Sequence, residues 1–167
     1  GADVNGATPD GTTALHWASY WDDVAGAELL IREGADPGLA NDLGATPLWN
    51  AALNGSSMMV RSLLEAGADP DAALILGETV LMTCARTGNV AVLKILIEHG
   101  ADPNLVQEKE PRDGNRNMLD RTGATPFLLA AKAAEFFVKM VPQRLQIPLF
   151  PIIQGIMKYM YGQEVHP

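Results

Sequence analysis

The side chains able to do chemistry in this 167-residue chain are few and widely separated. Its three histidines, His16, His99 and His166, are too far apart for any two to chelate a metal from one helix face, which needs a spacing of about four residues. Cys84 is the single cysteine, so no intrachain disulfide is possible. The glycine-rich stretch from Gly6 to Gly11 lacks the Lys-Ser/Thr ending with which a phosphate loop closes. Asp36, Asp69 and Asp102 each follow Gly-Ala at a fixed interval, which marks them as turn residues rather than a general acid/base pair. No nucleophile–base arrangement can be picked out. These residues argue against an enzyme, and they imply neither a metal nor a cofactor.

What does recur is a pattern. Gly34, Gly67 and Gly100 are 33 residues apart and each opens Gly-Ala-Asp; Gly1-Ala2-Asp3 lies one further interval upstream. The pairs Gly11/Thr13, Gly44/Thr46 and Gly77/Thr79 step in the same way, then jump 46 residues to Gly123/Thr125. The threonines open Thr13-Ala14-Leu15-His16, Thr46-Pro47-Leu48-Trp49, Thr79-Val80-Leu81-Met82 and Thr125-Pro126-Phe127-Leu128. Small residues follow: Ala18-Ser19, Ala51-Ala52, Cys84-Ala85 and Ala130-Ala131. Leu29-Leu30, Leu63-Leu64 and Leu96-Ile97 stand just ahead of the next Gly-Ala-Asp. A period of this length means stacked supersecondary units. Threonine caps the first turn of a helix, and Pro47 and Pro126 suit its opening position, where no amide hydrogen is missed. The small pairs allow close helix approach, the leucine pairs fill the space between units, and the glycines supply a left-handed helix end. A single unit cannot bury its apolar face alone, so the stack supplies the stability.

Over residues 1 to about 135 this pattern resembles the ankyrin repeat, with its Thr-Pro-Leu-His helix start and its Leu-Leu-x-x-Gly-Ala-Asp helix end. The resemblance implies an all-α solenoid of stacked helix-turn-helix units with short β-turn or hairpin tips. It divides the chain into the end of a truncated upstream unit (1–9), three units (10–40, 41–73 and 74–106), an inserted loop (107–119), a partial unit (120–141) and a non-repeat tail (142–167). His16 falls on the family's motif histidine and is expected to tie neighbouring turns together. Cys84 takes a position the family often gives to alanine, which predicts burial rather than a reactive thiol. His99, just before the helix-ending Gly100, is placed to complement the helix dipole. Trp17 and Trp49 fall on positions facing neighbouring units and are expected in the core.

Three places depart from the pattern. In Asp22-Asp23-Val24-Ala25-Gly26-Ala27 the family has a Gly-His turn, and a large aliphatic where Gly26 stands. A helix glycine alone costs about 1 kcal/mol, which makes the first complete unit the weakest expected. A polar, turn-rich insertion of 13 residues lies within 105–121; it reads either as a tolerated surface loop or as a projection from the binding face. In the last unit Pro142 replaces an expected helix leucine, Pro148 and Pro151 follow, and no Gly-Ala-Asp appears. The apolar stretch 152–161 is either a short helix capping the stack or part of a disordered or artificial end. It is far below the ~20 residues that a membrane span requires.

At 47% apolar the chain can build one elongated domain and does not read as disordered. Residues 1–110 carry 16 acidic and 5 basic side chains, and 111–167 carry 4 and 7. An acidic stack repels phosphate backbones, and the basic surplus of the tail is too scattered for a nucleic-acid arm. The chain opens on what resembles the last turn of a unit, so it reads as a fragment of a longer array. Targeting signals are therefore not legible, and no compartment is assigned.

The resemblance also implies a function: a non-catalytic protein-interaction module that binds another protein on a concave face built from turn tips and first helices. The tip candidates are Asp10 and Thr12, Asp42 and Leu43, Leu76 and Glu78, and Arg121. The helix candidates are Tyr20 and Trp21, Leu53 and Asn54, Arg86 and Thr87, and Lys132. Tyr20 and Trp21 are either the hot spot of that face or packing for a neighbouring unit or turn. The acidic surroundings favour a basic partner. Two alternatives stay open, a regulatory or targeting segment of a larger multidomain enzyme or effector, and a structural spacer.

Overall fold

A computed structural model of the chain describes residues 3–107, 123–126, 128 and 129. Within them are six short helices: α1 (Ala14–Tyr20), α2 (Val24–Arg32), α3 (Pro47–Asn54), α4 (Ser57–Glu65), α5 (Val80–Thr87) and α6 (Val90–Glu98). Each pairs with its sequence neighbour as α1–α2, α3–α4 and α5–α6. The pairs stack in two rows, α1–α3–α5 and α2–α4–α6. Among the described residues there is no sheet, only single antiparallel bridges such as Ala7–Thr13 and Ala73–Thr79 at the tips. The expected all-α stack of helix pairs with hairpin tips is therefore what the chain adopts.

Helices of seven to nine residues do not hold in isolation. Their ends are fixed by caps and their faces by packing. Thr46 and Thr79 accept the backbone N–H of Trp49 (3.3 Å) and Met82 (3.2 Å), and Thr125 accepts that of Leu128 (3.3 Å). The second helices carry a parallel set, in which Asp23, Ser56 and Asn89 accept from Gly26, Met59 and Val92. Gly34, Gly67 and Gly100 take φ of 92°, 96° and 93°, the left-handed ending that their position demands. Gly55 and Gly88 end α3 and α5 in the same way, but in the first unit that place falls to Asp22 at φ 57°, a conformation that costs an L-residue about 1–2 kcal/mol.

The core runs through the stack: Leu48, Ala51 and Ala52 of α3, Met59, Val60 and Leu63 of α4, Leu81 and Cys84 of α5, and Leu93 and Leu96 of α6. Each fully buried leucine contributes about 1.5–3 kcal/mol. Burial drives the Cys84 thiol up to about 12, which leaves it protonated and unreactive. The first unit is packed more thinly. At the position of Gly26, α4 and α6 bury Met59 and Val92, whereas α2 buries only Ala27.

The tips share one hydrogen-bonding scheme. Thr8 pairs with Thr12, Asn41 with Ala45 and Leu74 with Glu78, and each turn closes when the Gly11, Gly44 or Gly77 amide donates to the first residue of its pair. Gln107 and Ala124 repeat this pairing at 3.0 Å, and the Gly123 amide donates to the Gln107 carbonyl at 2.7 Å. The extra residues thus enter between two anchors of an otherwise ordinary tip. Of the predicted loop 107–119 only Gln107 is described; the rest of the loop and the tail 142–167 lie outside the described residues, as does most of the partial unit.

Polar staples join successive units behind the tips. The Asn5 side chain accepts the Asp36 amide at 2.8 Å, and Asp71 accepts that of Asp102 at 2.8 Å. In the same register the middle junction has Gly38, which has no side chain to reach Asp69. Gly38→Asn should supply the missing staple and stabilise the stack by about 1 kcal/mol, read as a higher urea midpoint with an unchanged slope. A lower midpoint would show that this junction cannot accommodate the bridge.

Candidate functional site

The tips lead directly into the first helices at Thr13, Thr46 and Thr79, and these helices pack in a row of their own beside the α2–α4–α6 row. Backbone bonds run from tip to tip. The Asp42 amide donates to the Asp10 carbonyl at 2.9 Å, and the Ile75 amide donates to the Leu43 carbonyl at 3.1 Å. Gly44 makes this contact possible. A Cβ there would stand 2.8 Å from the Ile75 nitrogen and 3.0 Å from the Ala73 oxygen, and its φ is 78°.

His16 is the internal bracket of the first tip. Its Nδ1 accepts the Thr13 amide at 3.1 Å and lies 2.8 Å from the Thr13 hydroxyl, while Nε2–H donates to the Ala45 carbonyl of the next unit at 2.9 Å. Burial outweighs the Ala45 bond and the Asp10 charge, and it holds the imidazole below its usual value and so neutral. The structural role expected for His16 is the one its geometry displays. At the equivalent position Trp49 packs against the core with its indole N–H buried and without a hydrogen-bond partner among the described residues. His99 also acts structurally, its Nδ1 lying 2.8 Å from the Ile95 carbonyl in the last turn of α6.

The predicted contact residues divide into distinct groups. Asp10, Asp42 and Leu43 are exposed on the first two tips, and Tyr20, Trp21 and Leu53 are exposed on the first helices. Thr12 is half-buried, and its hydroxyl donates to Asp10. Hydroxyls of Thr8 and Thr12 hold the Asp10 carboxyl below the usual carboxylate range. Asn54 is exposed, yet its amide donates to the Tyr20 carbonyl at 2.7 Å and so joins α3 to the end of α1. Thr87 is exposed and spends its hydroxyl on the Thr83 carbonyl. Leu76 is half-buried, while its neighbour Ile75 projects outward. Sequence reasoning misses Ile75, although it stands 33 residues after Asp42 in the same register. Arg121 and Lys132 lie outside the described residues.

Two expectations are corrected. Glu78, assigned to an exposed tip, is only 6% exposed. Its Oε1 accepts from the Thr83 hydroxyl at 3.0 Å and pairs with the half-buried Arg86 guanidinium at 3.0 Å. A carboxylate with these two donors beside it is held inward, so Glu78 positions Arg86 instead of offering itself at the surface. Trp17, expected in the core, is 50% exposed. Of its equivalents, Thr83 is buried and Asn50 half-buried, and Asn50 donates to the His16 carbonyl of the preceding unit at 3.3 Å. No described element covers α1 on that side.

The rings of the first unit form one array. Trp17 and Tyr20 meet edge to face with centroids 6.2 Å apart, and Tyr20 and Trp21 meet likewise at 5.0 Å. Trp21 is the most exposed of the three, at 72%. Among the described residues no three His, Cys, Asp or Glu side chains come together as a metal site, and no helix is long and apolar enough to cross a membrane.

A family model for ankyrin repeats, present in three copies, matches residues 23–107. A curated protein of Caenorhabditis elegans, named Ankyrin repeat and LEM domain-containing protein 1 homolog, is 52% identical over 46 residues. That stretch is 28% of this chain and 6% of the worm protein, so the match spans a small part of that relative's length.

Proposed function

Because this chain belongs to the ankyrin-repeat family, whose stacks generally serve as protein–protein interaction modules, we propose that it is a non-catalytic module binding a partner protein on the face made by its tips and first helices. One observation carries the reading. Among the exposed large hydrophobic side chains, Trp17, Tyr20, Trp21, Leu43, Leu53 and Ile75 lie on the tips and at the first helices, against Leu29 and Met58 on the second helices, while Asn54, Thr87 and Glu78 are spent on holding the stack together. Exposed apolar and aromatic side chains on an acidic stack fit a partner carrying basic residues. A second reading, a repeat segment within a larger multidomain protein, is favoured by the length of the worm relative beyond its matched stretch. The full open reading frame decides it.

Photocrosslinking tests the first reading. Benzoylphenylalanine placed at Leu43 or Leu53 should capture a discrete partner, whereas the same probe at Arg61 or Lys94, exposed on the second-helix row, should not. With that partner purified, Trp21→Ala should weaken binding by about 2 kcal/mol and leave the helical signal nearly unchanged. Added salt should slow association more than it speeds dissociation. Equal capture from both sides would remove the face assignment.

A further inference from the structure

The repeats provide an internal control for the aromatic array. In the second and third units, Asn50 and Thr83 correspond to Trp17, Leu53 and Arg86 to Tyr20, and Asn54 and Thr87 to Trp21. Thr83 is buried, Asn50 is half-buried and Arg86 is half-buried in its pair with Glu78, but Leu53, Asn54 and Thr87 remain exposed even with a unit packed before them. Tyr20 and Trp21 therefore occupy surface positions of the binding face, and Trp17 supports Tyr20 from the side. Large aromatic surface left open at such positions calls for an occupant.

The charge around the rings narrows that occupant. From Asp3 to Ile31 the chain carries Asp3, Asp10, Asp22, Asp23 and Glu28 and no lysine or arginine; the first cation is Arg32, in the last turn of α2. Asp22 and Asp23 follow Trp21 directly, and Asp22 is held in a left-handed turn. The other described cations are engaged: Arg86 with Glu78, and Arg61 and Lys94 with Glu98. Rings at near right angles, 85° for Tyr20 and Trp21, turn their electron-rich faces in different directions. A flat cation can then lie on one face while the carboxylates nearby balance its charge. Guanidinium stacks on aromatic faces and is more weakly hydrated than ammonium, so it gives up its water more readily.

We propose that Tyr20 and Trp21, with Trp17 beside Tyr20, form a receptor for an arginine side chain in a basic segment of a partner protein. The inference rests on the binding-face reading and adds the chemistry of the occupant. Its basis is the coincidence of an open perpendicular ring pair with a stretch, Asp3 to Ile31, that carries five carboxylates and no lysine or arginine.

Nona-arginine, nona-lysine and nona-citrulline peptides test it by calorimetric titration of the full chain at physiological salt. Nona-arginine should bind at least about 5-fold more tightly than nona-lysine, and the uncharged citrulline peptide should not bind measurably. Trp21→Leu should weaken the arginine peptide about 5- to 10-fold and bring the two basic peptides level, with Trp21→Phe in between. Circular dichroism of these variants should match the parent, since Trp21 is exposed. Equal affinities for the basic peptides, unmoved by Trp21→Leu, would reduce the attraction to net charge and overturn the inference. Reversible self-association abolished by Trp21→Leu would also overturn it, by assigning the rings to a second copy. In either case, partner capture at Leu43 and Leu53 would leave the binding-face reading standing. Absence of that capture would remove the broader reading instead.

Discussion

Gly44→Ala should destabilise the stack by about 3 kcal/mol, against about 1 kcal/mol for Gly67→Ala. Both glycines have positive φ, 78° and 96°, so both substitutions impose backbone strain. They differ in what surrounds them. A Cβ at Gly67 meets nothing within 4 Å, whereas one at Gly44 would press on the backbone of Ala73, Leu74 and Ile75. Backbone cannot rotate aside as a side chain can, so the second and third tips must separate and strain the bond from the Ile75 amide to the Leu43 carbonyl. Urea unfolding of the two variants measures the difference. Equal losses would mean that the tips are free to shift and that the close approach contributes little.

His16→Ala should cost about 2–4 kcal/mol, because it leaves the buried Thr13 amide without its partner and the Ala45 carbonyl with only its bond from the Asn41 amide. The same residue makes stability depend on pH. Its folded pKa is lowered from 6.5, so below that value the unfolded chain binds more protons than the folded one. The stability contributed by neutral His16 is whole above about pH 6.5 and declines as pH falls toward the lowered folded value. A proton on Nδ1 would also cancel its role as acceptor for the Thr13 amide. His16→Gln, which does not titrate and can still accept that amide from the third helical position, should be less stable than the parent at pH 7.5. It should also lose less between pH 7.5 and 5.5. Parallel pH profiles for the two proteins would exclude His16 as the group responsible.

These two residues illustrate how unevenly the sequence discloses the molecule. The repeat, the capped starts of α3 and α5, and the glycine endings at Gly34, Gly67 and Gly100 were all legible, because each depends on groups within one or two turns of chain. The second-helix caps Asp23, Ser56 and Asn89 follow the same 33-residue step and were open to the same reasoning. The structural role of His16 came through the family motif, and its reach to Ala45 became visible only with the units stacked.

What the sequence by itself determined is therefore the unit: where its helices begin and end, and that the units must stack. Only the tertiary structure decided what each unit does to the next. It drew Glu78 inward to Arg86 and Thr83, left Trp17 open beside Tyr20, and set the Gly44 backbone against the following tip. It also placed the entry of the insertion between Gln107 and Gly123. The physical reason is range. Caps and left-handed turns are settled by bonds a few residues long, but the exposure of a side chain on a repeat is settled by the unit beside it.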